Sequence, residues 1–224
     1  SMAYHLDIRR ERLRRLRILV LVVPRLLDRH LAPVLGFWRF PFMITLPFRA
    51  PRFARLFGRP SDDHGLREVK RTFLLVGVLY NLLSATKGNA TALKVAQGFL
   101  FDLANAVQRQ AYLPGPPHPR DWDWFHREHE AQMREGFIRN NENSGIAQTP
   151  DEVRLEIVRC RFFEAFRDMG DAAMTEAFCR SDEVVFNEYS QEMRFHRGEI
   201  SPDTIARGAK RCQFVYVRLR KSAG

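Results

Sequence analysis

Apolar positions recur every three to four residues from Leu66 to Val107, then alternate singly with polar ones in three stretches beyond residue 150. The first spacing is that of a helix with one buried face, the second that of a half-buried strand. Leu66, Val69, Phe73, Val76, Leu79, Tyr80 and Leu83 form one apolar stripe behind the N-cap candidates Ser61, Asp62 and Asp63. Gly88 and Asn89 break the pattern. A second helix follows, in which Leu93, Val95, Ala96, Phe99, Leu100, Leu103, Ala104 and Val107 are dense enough for burial on two sides. The prolines within residues 114–119 end it, because proline removes a donor and disfavours helix in the residue before it. A third helix is predicted from Asp121 to Ile138.

Residues 140–150 are polar and rich in turn formers, which marks them as the boundary between subdomains. Residues 152–159 then alternate charged and apolar side chains with period two, and so do 192–197 and 212–219, with a turn at Ser201, Pro202 and Asp203. Residues 161–169 and 171–190 read as helices separated by Gly170 and Asp171. Strand, two helices and a strand pair predict an antiparallel sheet covered on one face. The fold class expected is therefore α+β, with a helical N-terminal part packed on a C-terminal antiparallel sheet. Its parts are a basic, aromatic arm (1–60), a helical subdomain (61–139) and an α+β subdomain containing the cysteines (150–220).

Charge changes this picture at one place. The net charge is +10, and residues 1–60 alone hold thirteen arginines against Asp7, Glu11 and Asp28, while the remainder balances. The apolar run Ile18 to Val23 is far too short to cross a bilayer, which takes about 20 residues. Residues 36–53 interleave aromatics, prolines and arginines and read as an extended, sticky arm. Residues 8–59 would suit an anionic membrane surface. The same composition suits nucleic-acid phosphates, but no recognition phrase for nucleic acid accompanies it. Packing of the arm across its own domain or a partner subunit, in a homo-oligomer, is the plainer alternative.

Candidate chemistry concentrates late in the chain. All three cysteines, Cys160, Cys179 and Cys212, fall in the last third. Thiolates are soft metal ligands and strong nucleophiles, yet free cysteines also simply pack. An odd number of cysteines with no complete export signal favours a reducing compartment, hence a cytoplasmic protein, peripheral to the membrane if the arm binds lipid. His126 and His129, three apart on one face with Glu130 beside the second, have a spacing that suits metal ligands and equally a solvated charged face. No phosphate-binding glycine loop and no serine-hydrolase elbow occur, which disfavours nucleotide binding and that route to acyl transfer.

Three phrases appear in order: residues 158–171 around Cys160, residues 178–182 from Phe178 to Asp182, and residues 204–214 ending in Cys212, Gln213 and Phe214. Together they resemble the L-2-amino-thiazoline-4-carboxylic acid hydrolase family over about residues 150–219. The last phrase also resembles the end of the 4-vinyl reductase type domain, an α+β ligand-binding module. Gln213 stands where the family often has an acidic residue. The resemblance implies hydrolytic opening of a thiazoline-type ring, with water delivered to an amidine-like carbon and a proton to the leaving nitrogen.

On this resemblance Cys160, Cys179 and Cys212 are expected to be ligands or nucleophile, and Asp182, one helical turn past Cys179, the proton-transfer group. His129 is a second catalytic candidate and His126 a further metal ligand. The centre would be a metal ion or a 4Fe–4S cluster acting as Lewis acid on a small, rather hydrophobic substrate. The alternative is a non-catalytic module that holds a small apolar ligand.

Overall fold

The computed structural model describes residues 8–57, 63–113, 120–198 and 202–219. Ser61, Asp62, the prolines of 114–119 and Ser201 lie outside the described residues. The chain opens with α1 (Ile8–Arg17), a π-helical turn (Ile18–Val22), α2 (Val23–Leu35) and α3 (Arg39–Phe57). The predicted extended arm is thus helical. The reason is tertiary: Leu27, Leu31 and Leu46 are buried in the main core, and Phe42, Met43, Ala50, Phe53 and Phe57 pack against it. That stripe has helical spacing and outweighs the backbone donors lost at Pro47 and Pro51 inside α3.

The core stripe seen in the sequence then folds as α4 (His64–Thr72) and α5 (Leu74–Lys87), followed by α6 (Asn89–Tyr112). Asp63 is the N-cap of α4 and accepts a 3.0 Å hydrogen bond from the Leu66 N–H. The two short helices separate at Phe73, whose backbone leaves the helical region while its ring packs against Phe137, Phe166 and Phe178. Gly98 lets α2 lie close to α6: a Cβ there would stand 2.8 Å from the His30 ring. His30 in turn bonds Asp102 at 2.9 Å across the same contact.

Helix α7 (Trp122–Glu135) leads into β1 (Glu142–Gln148), β2 (Glu152–Arg159), α8 (Arg161–Met169), α9 (Glu176–Glu188), β3 (Met193–His196) and β4 (Cys212–Arg218). The strands form one antiparallel sheet in the order β1-β2-β4-β3. In β2, Val153, Leu155 and Ile157 are buried on alternate positions, as their period-two pattern requires. Strand β1 corrects the expectation of a polar linker at 140–150. All seven of its residues are exposed, so no alternation marks it; it forms because β2 offers an unpaired edge of N–H and C=O groups.

Two buried clusters result. One joins α2 to α6 with α8 and the start of α9. The other lies between the sheet and Tyr112, Trp122, Phe125, Phe186 and Tyr189 from α6, α7 and α9. Among the described residues no helix is long and apolar enough to cross a membrane.

Candidate functional site

Helix α9 turns Cys179 and Asp182 to the same side, since residues three apart share a helical face. That side is buried against α6, from which Gln108 reaches across. The Gln108 Nε2 donates to Asp182 Oδ1 at 2.5 Å, and the Ser181 hydroxyl donates to Gln108 Oε1 at 3.0 Å. Arg197, just past β3, closes the other side. Its Nη2 donates to Asp182 Oδ2 at 2.7 Å and to the Cys179 carbonyl at 3.0 Å, and its guanidinium lies over the Phe214 ring at 4.3 Å. Arg197 is buried, with its charge opposed by Asp182 and more distantly by Glu183.

Strands bring the other two thiols to this region. Cys212 opens β4 opposite Ile157 of β2, and its Sγ accepts a 3.0 Å hydrogen bond from the Ile205 N–H. Cys160 follows the end of β2 and begins α8. On either side of it, Arg159 and Arg161 both bind Asp63, at 2.9 and 2.8 Å, which ties the end of β2 to the start of α4. Burial would push the Asp63 carboxyl up, but the Leu66 N–H and these two arginines outweigh it and hold its pKa low.

The electrostatics follow from this burial. Loss of water pushes the Cys160 and Cys179 thiols each up to about 12 and raises Cys212 as well. The Phe162 and Phe163 N–H groups oppose this at Cys160, and Arg197 opposes it at Cys179. The neighbouring Asp182 carboxylate adds to the rise at Cys179. Asp182 is raised by burial, with Arg197 and Gln108 pulling it back. The site is therefore a buried carboxylate–guanidinium pair bordered by protonated thiols.

The histidines fall elsewhere. His129 is almost wholly buried, stacked on Phe125 at 5.2 Å and sharing a 3.1 Å hydrogen bond between its Nδ1 and the Tyr112 hydroxyl. Burial, helped by His126, lowers its pKa to about 3, so it is a neutral imidazole. Of His126, His129 and Glu130, His129 is buried and only Glu130 lies on the solvated surface. His126 is only half-buried, beside Trp122. Among the described residues no group of three or more His, Cys, Asp or Glu side chains could hold a metal ion. Cys160, Cys179, Cys212 and His126 accordingly form no such group as the chain places them.

A family model described as L-2-amino-thiazoline-4-carboxylic acid hydrolase matches residues 67–216. That span covers most of α4, all of α5 to α9, all three cysteines, Asp182 and Arg197. The chain belongs to the L-2-amino-thiazoline-4-carboxylic acid hydrolase family. The likeness of its last phrase to the 4-vinyl reductase type domain is no part of what this match shows. No curated protein and no solved structure matches the chain. In this family member the matched region starts after α1, α2 and α3, so those helices lie outside it.

The sequence reading missed Gln108, Arg197 and Tyr216, although each left a signal. Arg197 continues the alternation Met193, Phe195 and so belongs to the buried side of β3. Gln108 sits between Ala104 and Tyr112 on a buried stripe, and Tyr216 follows Cys212 and Phe214 on the core side of β4. A polar residue at an apolar position of a regular pattern is the cue in each case.

Proposed function

We propose that this chain hydrolyses a small amino-thiazoline-type heterocycle carrying a carboxylate, with Asp182 as the group that moves the proton. Asp182 takes a proton from water as the water oxygen bonds to the amidine-like ring carbon. As the oxygen bonds, the C=N electron pair moves onto nitrogen. When the bond from the carbon to the leaving heteroatom breaks, the new hydroxyl becomes a carbonyl and its proton passes to that nitrogen, while Asp182 returns the first proton to the leaving atom. Burial raises its affinity for a proton, as this shuttle needs, while Gln108 and Arg197 hold both carboxylate oxygens in place.

The observation that carries this reading is the Asp182–Arg197 pair, with Arg197 buried and Asp182 largely so, inside the region matched by the family model. Two buried polar atoms support a polar ligand there: the Arg197 Nε and the Tyr216 hydroxyl have no hydrogen-bond partner within the protein. Buried polar groups are nearly always paired, and a carboxylate and a ring nitrogen would supply partners. Phe195, Phe214 and Tyr216 around Arg197 favour a substrate with an apolar portion. Thiols this strongly protonated favour water over sulfur as the attacking group, so Cys160, Cys179 and Cys212 shape and dry the site in this scheme.

The test is incubation of the purified chain with L-2-amino-thiazoline-4-carboxylate and mass detection of the product that has gained one water. Asp182→Asn is expected to lower the rate at least about a hundredfold, the usual scale for a lost proton-transfer group. Undiminished turnover by Asp182→Asn, or loss of turnover on Cys160→Ser alone, would overturn the scheme.

A further inference from the structure

We infer that α1 to α3 form a docking surface for an anionic lipid bilayer, on which the protein lies without crossing it. The surface is separate from the region matched by the family model, which starts at residue 67. Eleven of the sixteen exposed large apolar side chains among the described residues fall between Leu13 and Leu56. Soluble surfaces carry such residues singly, and a concentration of them marks an interaction face.

Helix α3 shows the arrangement most clearly, because it is apolar on two sides. Phe42, Met43, Leu46, Ala50, Phe53 and Phe57 recur at spacings of one, three and four and meet the core. Phe40, Ile44 and Phe48 recur every four residues on another side and face solvent, Phe48 at 81% exposure. At the turn before α3, Phe37 and Trp38 are exposed by 77% and 73%. Aromatic rings in that position suit the boundary between headgroups and acyl chains.

Charge selects the occupant. Arg12, Arg17, Arg25, Arg49, Arg52 and Arg55 are exposed and make no ion pair among the described residues. Elsewhere acids balance the cations, since residues 61–224 hold as many acidic as basic side chains. A second copy would bring the same cations and repel. A neutral apolar partner would leave the arginines unanswered. A sheet of anionic headgroups over an apolar interior answers both halves of the surface at once.

The experiment is vesicle flotation of the full chain with phosphatidylcholine alone or mixed with phosphatidylglycerol. The expected result is recovery with the anionic vesicles only, falling as salt rises. Arg25→Gln with Arg52→Gln should weaken partitioning by about thirtyfold, and Phe37→Ser with Phe48→Ser should abolish it while circular dichroism stays unchanged. In the unmodified protein, Trp38 emission should shift to the blue on anionic vesicles. Trp122 is buried and Trp124 half-buried, so Trp38 dominates that response. Absence of both flotation and blue shift would overturn the inference. So would equal binding to neutral vesicles, or a dimer in solution that the Phe37→Ser and Phe48→Ser changes dissociate.

Discussion

The Arg197 Nη2 stands 2.7 Å from the Asp182 Oδ2, and neither side chain reaches water freely. Removing one partner of such a pair strands a charge in a medium that solvates it poorly. Asp182→Asn is therefore expected to cost about 3–5 kcal/mol of stability. Replacing both, as Asp182→Leu with Arg197→Met, should cost clearly less than the sum of the single changes. Urea unfolding of the four proteins measures this, and strictly additive losses would show that the two charges do not depend on each other.

Protonated, buried thiols react slowly with alkylating agents, because the thiolate is the reactive form. At neutral pH, iodoacetamide is expected to label Cys160, Cys179 and Cys212 far more slowly in the folded protein than in urea. Cys160, half-buried where the others are buried, should be the first to react. Mass spectrometry after timed quenching gives the order. Fast labelling of any of the three at neutral pH would mean a stabilised thiolate and would revive sulfur as the nucleophile.

His129 is neutral when folded, down to about pH 3, but takes a proton near 6.5 when unfolded. The unfolded chain binds the extra proton between those values, so this residue's contribution is complete above about pH 6.5 and is lost as pH falls toward 3. The slope approaches about 1.4 kcal/mol per pH unit in that window. Urea titrations from pH 7 to 4 are expected to show it, and His129→Phe should flatten the curve relative to the unmodified chain. An unchanged slope in the variant would place the titration elsewhere.

Gly98 bears on the N-terminal helices. A methyl group there meets the His30 ring and displaces it from Asp102. Gly98→Ala is expected to lose about 1–3 kcal/mol through overpacking, with faster protease cleavage within residues 8–57 than in the unmodified chain. His30→Ala with Gly98→Ala relieves the clash and should recover part of that loss. Cleavage that is unaffected by Gly98→Ala would show that α2 is held to α6 by other contacts.

Much of the C-terminal part was legible because its signals are local. The alternation at 152–159, the helix at 161–169 and the strands near 193 and 212 appear in the structure at or within a residue or two of their predicted ends. Strand β1 was not legible, since an all-exposed edge strand carries no apolar period and is specified by the neighbour it pairs with. Residues 36–53 read as an extended arm because prolines and exposed aromatics mask the stripe of Phe42, Met43, Leu46, Ala50 and Phe53. The family phrases pointed to the three cysteines and to Asp182, but nothing in them announced Arg197 or Gln108 as its partners.

By itself the chain's order of residues determined which segments bury a face, where the positive charge lies, and which phrases tie it to its family. Only tertiary structure decided that Asp182 meets Arg197 and that His129 is sealed among rings. It also decided that α2 and α3 pack on the core by one side, while Phe40, Ile44 and Phe48 of α3 stay outward. The physical reason is range: periodicity is set by neighbours a few residues apart, whereas the partner of a buried charge comes from an element distant in the chain. Which face stays uncovered depends on how the whole core closes.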